Sequence, residues 1–485
     1  MRLIGEKIFS NEDQRLFAFI SSDRNPMHMD PIAARRMITG RQVVHGIHIL
    51  ITAFEYWKND NNSYPVSVDC SFTNPISVGD KVVFTQTDDQ EHGIIIEGSI
   101  NELRCAHISI DTAQERGPGE FGSVSAENDL GKECCCPTDL AGPFDEAPEV
   151  HVAKKYCVKL NDTDFSVKFP QAYRLFGNQC LSAIGALSYF VGMICPGLHS
   201  IFSSLNFTVN RDAESQDTLS FAVRKYDARV GLYDISFHGC IQGGIKAFLR
   251  PPPQPQSSLQ ELSAHVRADE FKGTRSLIVG GSRGLGEMTV KILAAGGGDA
   301  VITYASGFDD AKAISDEINK VGSGTCEILR LDLTADPVES MNIDCSSLDA
   351  VYFFATPRIF RKKAEIFKPQ LFQEFFEFYI RRFYELCVYL EARAGTKQIK
   401  IFFPSSVYVC ARPGGMSEYA MAKAAAEVLI EEINKSFEKL SVISTRLPRL
   451  NTDQTSSIVR ISTESNLEAL LPIIRSLNKQ DSKPL

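Results

Sequence analysis

Apolar positions run almost unbroken from Val43 to Trp57, which predicts a helix buried on most of its surface. A polar turn over Asn59–Tyr64 follows. Four β-prone stretches come next, Val66–Phe72, Lys81–Thr87, Gly93–Ile100 and Arg104–Ile110, each predicted as a strand. The same succession returns further along. Between Leu175 and Asn210 there is no Asp, Glu, Lys or Arg. A bilayer-spanning helix needs ~20 unbroken apolar residues, whereas Asn178, Gln179, several serines and Pro196-Gly197 interrupt this run. It reads as a buried helix over about 179–193, a turn at Pro196-Gly197 and a strand over about 199–209. Thr218–Val223, Gly231–Gly239 and Gly244–Leu249 are the strands that follow. The two stretches form a faint internal repeat, each one apolar helix followed by an antiparallel sheet able to wrap it. Further on, Ser276–Val279, Ala300–Tyr304, Glu327–Leu331, Ala350–Phe354, Ile399–Pro404 and Val442–Thr445 alternate with helical segments. That alternation predicts an α/β doubly wound, Rossmann-type parallel sheet after the α+β repeats.

Two stretches without an apolar period separate these pieces. Residues 113–148 hold Gly, Pro, Ser, Glu and Cys134-Cys135-Cys136, and Pro251 opens the stiff run Pro-Pro-Pro-Gln-Pro-Gln-Ser-Ser. The expected pieces are 1–112, 149–250 and 272–485, with 251–271 as a Pro-rich linker. With 44% hydrophobic and 23% charged residues among 485, the chain is no disordered or fibrous protein. A net charge of -9 gives no electrostatic footprint for nucleic acid and no polybasic hold on a membrane. The 13 cysteines, with no CxxC pair recurring at zinc spacing, read as reduced thiols of a cytoplasmic protein without a metal site. The N-terminus has no apolar core of the secretory kind, and the ending Ser482-Lys483-Pro484-Leu485 differs from the peroxisomal Ser-Lys-Leu address.

In the third piece a strand runs into Gly280-Gly281-Ser282-Arg283-Gly284-Leu285-Gly286, which opens a helix. Glycines let the backbone approach a pyrophosphate, and the helix N-terminus favours its charge. No carboxylate ends the second strand before Asp309, while Arg283 and Ser306 can take a ribose 2′-phosphate, so NADPH is the expected cofactor. Tyr419 and Lys423 stand at i,i+4 spacing on one helix face, where an ammonium is expected to lower the phenol's pKa and ready it to protonate a carbonyl. Ser406 lies 13 positions earlier, after the fifth strand, placed to hold the carbonyl oxygen. Over about 272–455 this set resembles the short-chain dehydrogenase/reductase family. The resemblance implies Ser406, Tyr419 and Lys423 as catalytic, Gly280, Ser282, Arg283, Gly284 and Gly286 as the dinucleotide loop, and Asp332 as an adenine contact. The chain departs from the family at Val279, at Phe354-Ala355-Thr356-Pro357, at Tyr379 where a relay Asn is usual, and at Pro448-Arg449. The helically spaced Phe372, Phe375, Phe376, Phe378, Tyr379, Phe383 and Tyr384 read as core or as a seam between subunits, which in relatives supports a homodimer or higher oligomer.

In the first piece, Asp23 and His28 flank the Asn25-Pro26 turn, which can fold a carboxylate and an imidazole toward one water. His45-Gly46 then opens the apolar helix, where a backbone N–H can polarise a thioester carbonyl. With the preceding Phe9-Ser10 and Phe17-Ala18 segment, residues 6–110 closely resemble the MaoC-like, R-specific enoyl-CoA hydratase family, which has the hot dog fold. The resemblance implies Asp23 and His28 as the catalytic pair, Asn25 as a supporting polar group and Gly46 as the polarising amide. Ser22 stands where the family has Gly. His48 stays unassigned, His45 is read as structural with substrate contact the alternative, and His199 is expected to be structural. The second piece has neither the Asp-x-Asn-Pro-x-His run nor His-Gly, so it reads as an inactive second hot dog, making a double hot dog.

Together these imply a bifunctional enzyme of fatty-acid or polyketide-type metabolism. It would be an NADPH-dependent 3-ketoacyl-thioester reductase joined to a (3R)-hydroxyacyl-thioester dehydratase or enoyl hydratase, acting on acyl-CoA or acyl-carrier-protein thioesters. Two other readings stay open: a reductase carrying a non-catalytic acyl-binding hot dog, and a hydratase carrying a degenerate reductase scaffold.

Overall fold

The computed structural model describes the chain outside residues 60–62, 90–92, 115–132, 137–139, 153, 211–216, 362–364, 459–460 and 479–485. The chain divides into two compact units, one built on Met1–Pro252 and one on Pro253–Ser456 with the helix Asn466–Leu477.

The first unit is one large sheet holding two helices. Its strands are β1 (Arg2–Ile8), β2 (Tyr64–Phe72), β3 (Lys81–Asp89), β4 (Gly93–Ile100), β5 (Leu103–Ala113), β6 (Glu133–Cys135), β7 (Lys155–Lys159), β8 (Ser200–Val209), β9 (Thr218–Asp227), β10 (Leu232–His238) and β11 (Ile241–Leu249). They pair in the order β1-β3-β4-β5-β2-β8-β11-β10-β9-β7-β6. Every neighbouring pair is antiparallel except β6 and β7. The expected repeat is visible in this order. β1, the helix Gly46–Tyr56 and β2 to β5 pair as 1-3-4-5-2, and β7, the helix Pro170–Tyr189 and β8 to β11 pair as 7-9-10-11-8. β2 meets β8 at the centre, with Ser67 opposite Thr208 and Ser71 opposite Ser204. Both helices lie in one hydrophobic core. Phe54 meets Phe176 at 4.5 Å between ring centroids, and the Glu55 carboxylate accepts the first amides of the second helix, Gln171 N at 2.8 Å and Ala172 N at 3.1 Å.

Three sequence expectations shift here. The first apolar helix starts at Gly46, because Val43 and Val44 are extended: Val43 bridges Ser77 and the Val44 amide donates to Ile76 O. The second helix reaches back to Pro170 but breaks at Gly177, whose φ of 77° only glycine adopts freely, so its regular part begins where the apolar pattern begins. Residues 113–148 are not linker throughout. β5 continues to Ala113, β6 adds to the edge of β7, and a helical turn occupies Pro148–Val152. An edge strand presents unpaired amides and carbonyls, and a three-residue strand satisfies some of them without any apolar alternation to announce it.

The second unit holds β12 (Arg275–Val279), β13 (Asp299–Tyr304), β14 (Cys326–Arg330), β15 (Ala350–Phe353), β16 (Ile399–Ser406) and β17 (Leu440–Leu447), all parallel, in the order β14-β13-β12-β15-β16-β17. Counted within the unit this is 3-2-1-4-5-6, the doubly wound order. Part of the Pro-rich segment belongs to this unit: a helical turn at Leu259–Leu262 buries Leu259 and Leu262 in its core. Among the described residues no helix is long and apolar enough to cross a membrane.

Candidate active sites

In the first unit, a helix over Asn11–Ser21 begins at a Ser10/Asp13 capping box and ends on Ser22, which turns left-handed at φ 64°. That turn delivers Asp23 into the interior. Asn25 then caps a short helix with Pro26 at its first position, and the Asn25 side chain accepts from Met27 N at 3.0 Å. Asn25 Nδ2 donates to Gly192 O at 2.8 Å and Gly197 O at 3.1 Å, so this loop is fastened to the second repeat.

Asp23, Asn25, His28 and His45 are all buried. The Asp23 carboxylate accepts from Asn25 N at 3.1 Å and from the Ser188 hydroxyl at 2.7 Å. Burial raises its pKa, against the pull of His28 and these hydrogen bonds. His28 Nδ1 lies 2.7 Å from Val43 O. A carbonyl only accepts, so Nδ1 carries the proton and Nε2 keeps its lone pair. Burial lowers the pKa of His28, against the charge of Asp23, and keeps the ring neutral. His45 stacks on His28 at 3.9 Å and donates from Nε2 to Asp23 O at 3.1 Å. Donor atoms of Asp23, His28 and His45 lie within 4.8 Å of one another. Each imidazole commits one ring nitrogen to a backbone carbonyl, Nδ1 of His28 to Val43 O and Nε2 of His45 to Asp23 O. Gly46 opens its helix in the first turn, where amides have no intrahelical partner. An added Cβ there would come within 2.9 Å of the Phe72 ring. His48 packs between Phe9 and Phe17, pushed down to about 3 by burial. His199 lies 3.6 Å from Asp145 at the start of β8.

Two residues of this site escape sequence reasoning. Ser188 and Gly192 belong to the second repeat's charge-free run, and only its register against the first repeat reveals them. A Cβ on Gly192 would fall 2.4 Å from Asp23 Oδ1 and 2.5 Å from Oδ2, so the carboxylate sits against bare backbone.

In the second unit, β12 turns through Gly280 into the helix Gly284–Ala295. At Gly280, φ is 86° and a Cβ would lie 2.8 Å from Ala355 N; at Gly286 it would lie 2.2 Å from Gly280 O. The crevice falls at the β12/β15 switch point, where doubly wound sheets bind ligands. A bare backbone there fits a dinucleotide pyrophosphate. Ser282 is buried in this loop. Arg283 Nη1 lies 3.9 Å from Asp453. Ser306 is exposed after β13. Asp332 accepts from Thr334 N at 2.9 Å and Thr334 Oγ1 at 2.6 Å.

Ser406, at the end of β16, and Tyr419 and Lys423, on the helix Ser417–Ser436, are all buried, and the Ser406 side chain draws the Tyr419 pKa downward. The expected lowering of the phenol is reversed: burial pushes Tyr419 up to about 12. The reason is dehydration together with where Lys423 points. Its Nζ donates to Pro404 O at 2.6 Å and stands 3.7 Å from the Tyr379 ring centre, against 5.9 Å from that of Tyr419. Burial brings Lys423 down to about 7, with Glu427 drawing it back up.

Comparison with known proteins bears on the first unit. Residues 5–97 match the MaoC like domain, so the N-terminal part of the chain carries that domain. The chain is similar to the mitochondrial 3-hydroxyacyl-[acyl-carrier-protein] dehydratase of Arabidopsis thaliana, 30% identical over 81 residues, which are 16% of this chain and 47% of that protein. The match thus spans just under half of the relative's length. Among solved structures, the chain is similar to a short chain dehydrogenase from Salmonella enterica at 16% identity, covering 45% of this chain and 94% of that one with a TM-score of 0.39. It is also similar to an NADP-bound 3-oxoacyl (acyl-carrier-protein) reductase from Agrobacterium tumefaciens at 17% identity, covering 39% and 75% with a TM-score of 0.34. The parallel strand order and the glycine turn, rather than these likenesses, define the fold of the second unit.

Proposed function

We propose that the chain is a bifunctional enzyme of acyl-thioester metabolism: a dehydratase or enoyl hydratase centred on Asp23 and His28, and an NADPH-dependent ketoreductase centred on Ser406, Tyr419 and Lys423. The observation that carries the first activity is the buried pairing of a carboxyl raised in pKa with an imidazole whose free nitrogen is Nε2. In the dehydrating direction, His28 Nε2 takes the α-proton of a 3-hydroxyacyl thioester. The Gly46 amide, at the positive end of its helix, holds the thioester oxygen as it gains charge. Asp23, in its acid form, gives a proton to the departing hydroxyl, and water leaves. Hydration runs the same steps backward, with Asp23 activating water and protonated His28 delivering the α-proton. The repeated topology supports a double hot dog in which the second repeat holds Asp23 through Ser188 and fastens Asn25 through Gly192 O and Gly197 O.

For the second activity, the bare glycine backbone supports a nicotinamide dinucleotide, and Arg283 and Ser306 support its 2′-phosphorylated form. A bound nicotinamide supplies hydride to the carbonyl carbon. Ser406 holds the carbonyl oxygen, and Tyr419, fully protonated at neutral pH, gives that oxygen its proton. The dehydratase relative's carrier-protein thioester makes a CoA or carrier-linked acyl group the fitting substrate class for both sites.

The test is separation of the activities. Asp23→Asn should cut hydration of crotonyl-CoA by about 10²–10⁴-fold and leave reduction of acetoacetyl-CoA by NADPH intact, while Tyr419→Phe should do the reverse. Hydration by folded Asp23→Asn at the unmodified rate would refute the first assignment.

A further inference from the structure

The ammonium of Lys423 is buried, and among the described residues no carboxylate is in hydrogen-bond reach. Among the described residues Pro404 O, at 2.6 Å, is its one oxygen acceptor. The rest of its shell is aromatic, with the Tyr379 ring centre at 3.7 Å and the Phe403 ring centre at 4.4 Å. An ammonium within about 6 Å of a ring face is drawn to the negative face of the π-system, most strongly where water is excluded. Tyr379 is itself completely buried and lies in a π-helical turn, Glu377–Arg382, between the helices Pro369–Phe376 and Phe383–Arg393. Such single widened turns frequently mark functional positions. The hydroxyl of Tyr379 is 2.5 Å from Thr356 Oγ1, in the loop that follows β15. Phe375 stacks on the same ring at 5.8 Å and fixes its plane. One residue therefore touches both the loop after β15 and the lysine of the Ser406–Tyr419–Lys423 cluster.

We propose that Tyr379 is the positioning residue of Lys423: its ring face carries the ammonium, and its hydroxyl anchors that ring to Thr356. This rests on the reductase reading for its catalytic meaning, but the contact itself can be measured without turnover. The other groups facing Lys423 are Glu427 and Tyr419 on its own helix and Phe403 and Pro404 on β16. Glu427 is occupied by Ser405 and by Arg446 of β17. Glu374, on the helix before the π-turn, acts on Tyr379 rather than on the lysine. The two forces on Lys423 have opposite signs. Dehydration lowers its pKa, and the ring face, by favouring the charged form, holds it up.

The experiment follows the Lys423 side-chain carbon resonance through a pH titration in the full chain labelled with ¹³C-lysine, the resonance being identified by its loss in Lys423→Arg. Tyr379→Phe keeps the ring and should leave the midpoint unchanged within a few tenths of a unit. Tyr379→Leu removes the ring face while keeping an apolar side chain and should lower the midpoint by about half a unit to one and a half units. Because leucine leaves a gap that could unsettle the fold, phenylalanine and its mono-, di- and trifluorinated forms are also placed at position 379. Shape is then nearly constant while the ring face loses negative potential, and the midpoint should fall stepwise with fluorine number. A flat fluorine series, or a midpoint in Tyr379→Leu equal to or above that of the unmodified chain, overturns the proposal. Failure of the unmodified chain to reduce acetoacetyl-CoA would overturn the reductase reading alone, leaving the titration result to stand by itself.

Discussion

The sharpest consequence of the dehydratase geometry is that one methyl group in the second repeat should silence a base in the first. Gly192 lies in the π-helical turn Phe190–Ile194, and a Cβ there would fall 2.4 Å from Asp23 Oδ1 and 2.6 Å from Asp23 Cγ. Real Cβ contacts stay beyond 3.0 Å, so the carboxylate must retreat by at least about 0.6 Å. It has little freedom to do so, since Ser188 holds Oδ2 at 2.7 Å and Asn25 N holds Oδ1 at 3.1 Å. A displacement near 1 Å at a reacting group costs on the order of 10²-fold. Gly192→Ala should therefore lower kcat for crotonyl-CoA hydration by about 10- to 100-fold. Overpacking of ~1–3 kcal/mol should also lower the melting temperature of the chain by a few degrees to about 10 °C. The control is Gly185→Ala, two turns earlier, where a Cβ would meet Phe165 and Ser21 no closer than 3.8 Å. That change should leave hydration intact and keep or slightly raise stability, as Gly→Ala inside a helix gains roughly 0.5–1 kcal/mol. Hydration is followed by loss of enoyl absorbance, and folding by circular dichroism. Folded Gly192→Ala that hydrates at the unmodified rate would show that Asp23 is not the reacting carboxylate.

Ser188→Ala should lower hydration more mildly and move the acid limb of its pH profile upward, because losing the hydroxyl removes a bond that favours the Asp23 carboxylate; a profile unchanged in shape would detach Ser188 from the site. Burial depresses His28, His45, His48 and His199 in the folded first unit, so the unfolded chain binds more protons below the ordinary histidine value of 6.5. Stability should accordingly be full above about 6.5 and fall as pH drops from there toward about 3, the value for His48; urea melts of His48→Gln should show a shallower slope in that window, and an equal slope would refute the assignment. Arg283→Ala should weaken NADPH binding much more than NADH binding by fluorescence titration, whereas equal losses would mean that Arg283 does not read the 2′-phosphate.

What the sequence disclosed, and what it withheld, follows from the range of the interactions involved. Alternation and apolar runs exposed β2 to β5, β8 to β11 and all six parallel strands, because each is a local pattern on a buried face. β1 and β7 went unread: Arg2–Ile8 and Lys155–Lys159 carry exposed and charged positions at the sheet margins, and their pairing partners β3 and β9 lie far along the chain. The proximity of Asp23 and His28 was legible because the Asn25-Pro26 turn places them within one short segment. Ser188 and Gly192 were not, being a serine and a glycine in an apolar helix until β2 and β8 dock. The Tyr419–Lys423 spacing was read correctly as one helix face, but the direction of the ammonium was set by Pro404 and Tyr379, on other elements, and the sign of the phenol's shift went with it.

The contact between Gly192 and Asp23 also bears on which positions of the first unit can vary. The second repeat, which has no Asp-x-Asn-Pro-x-His run of its own, nevertheless supplies a position with no side chain at all, hard against the Asp23 carboxylate of the first. In a saturation library of the first unit, tolerance should therefore not follow distance in sequence from Asp23: position 192 should accept fewer substitutions than many positions within the first repeat.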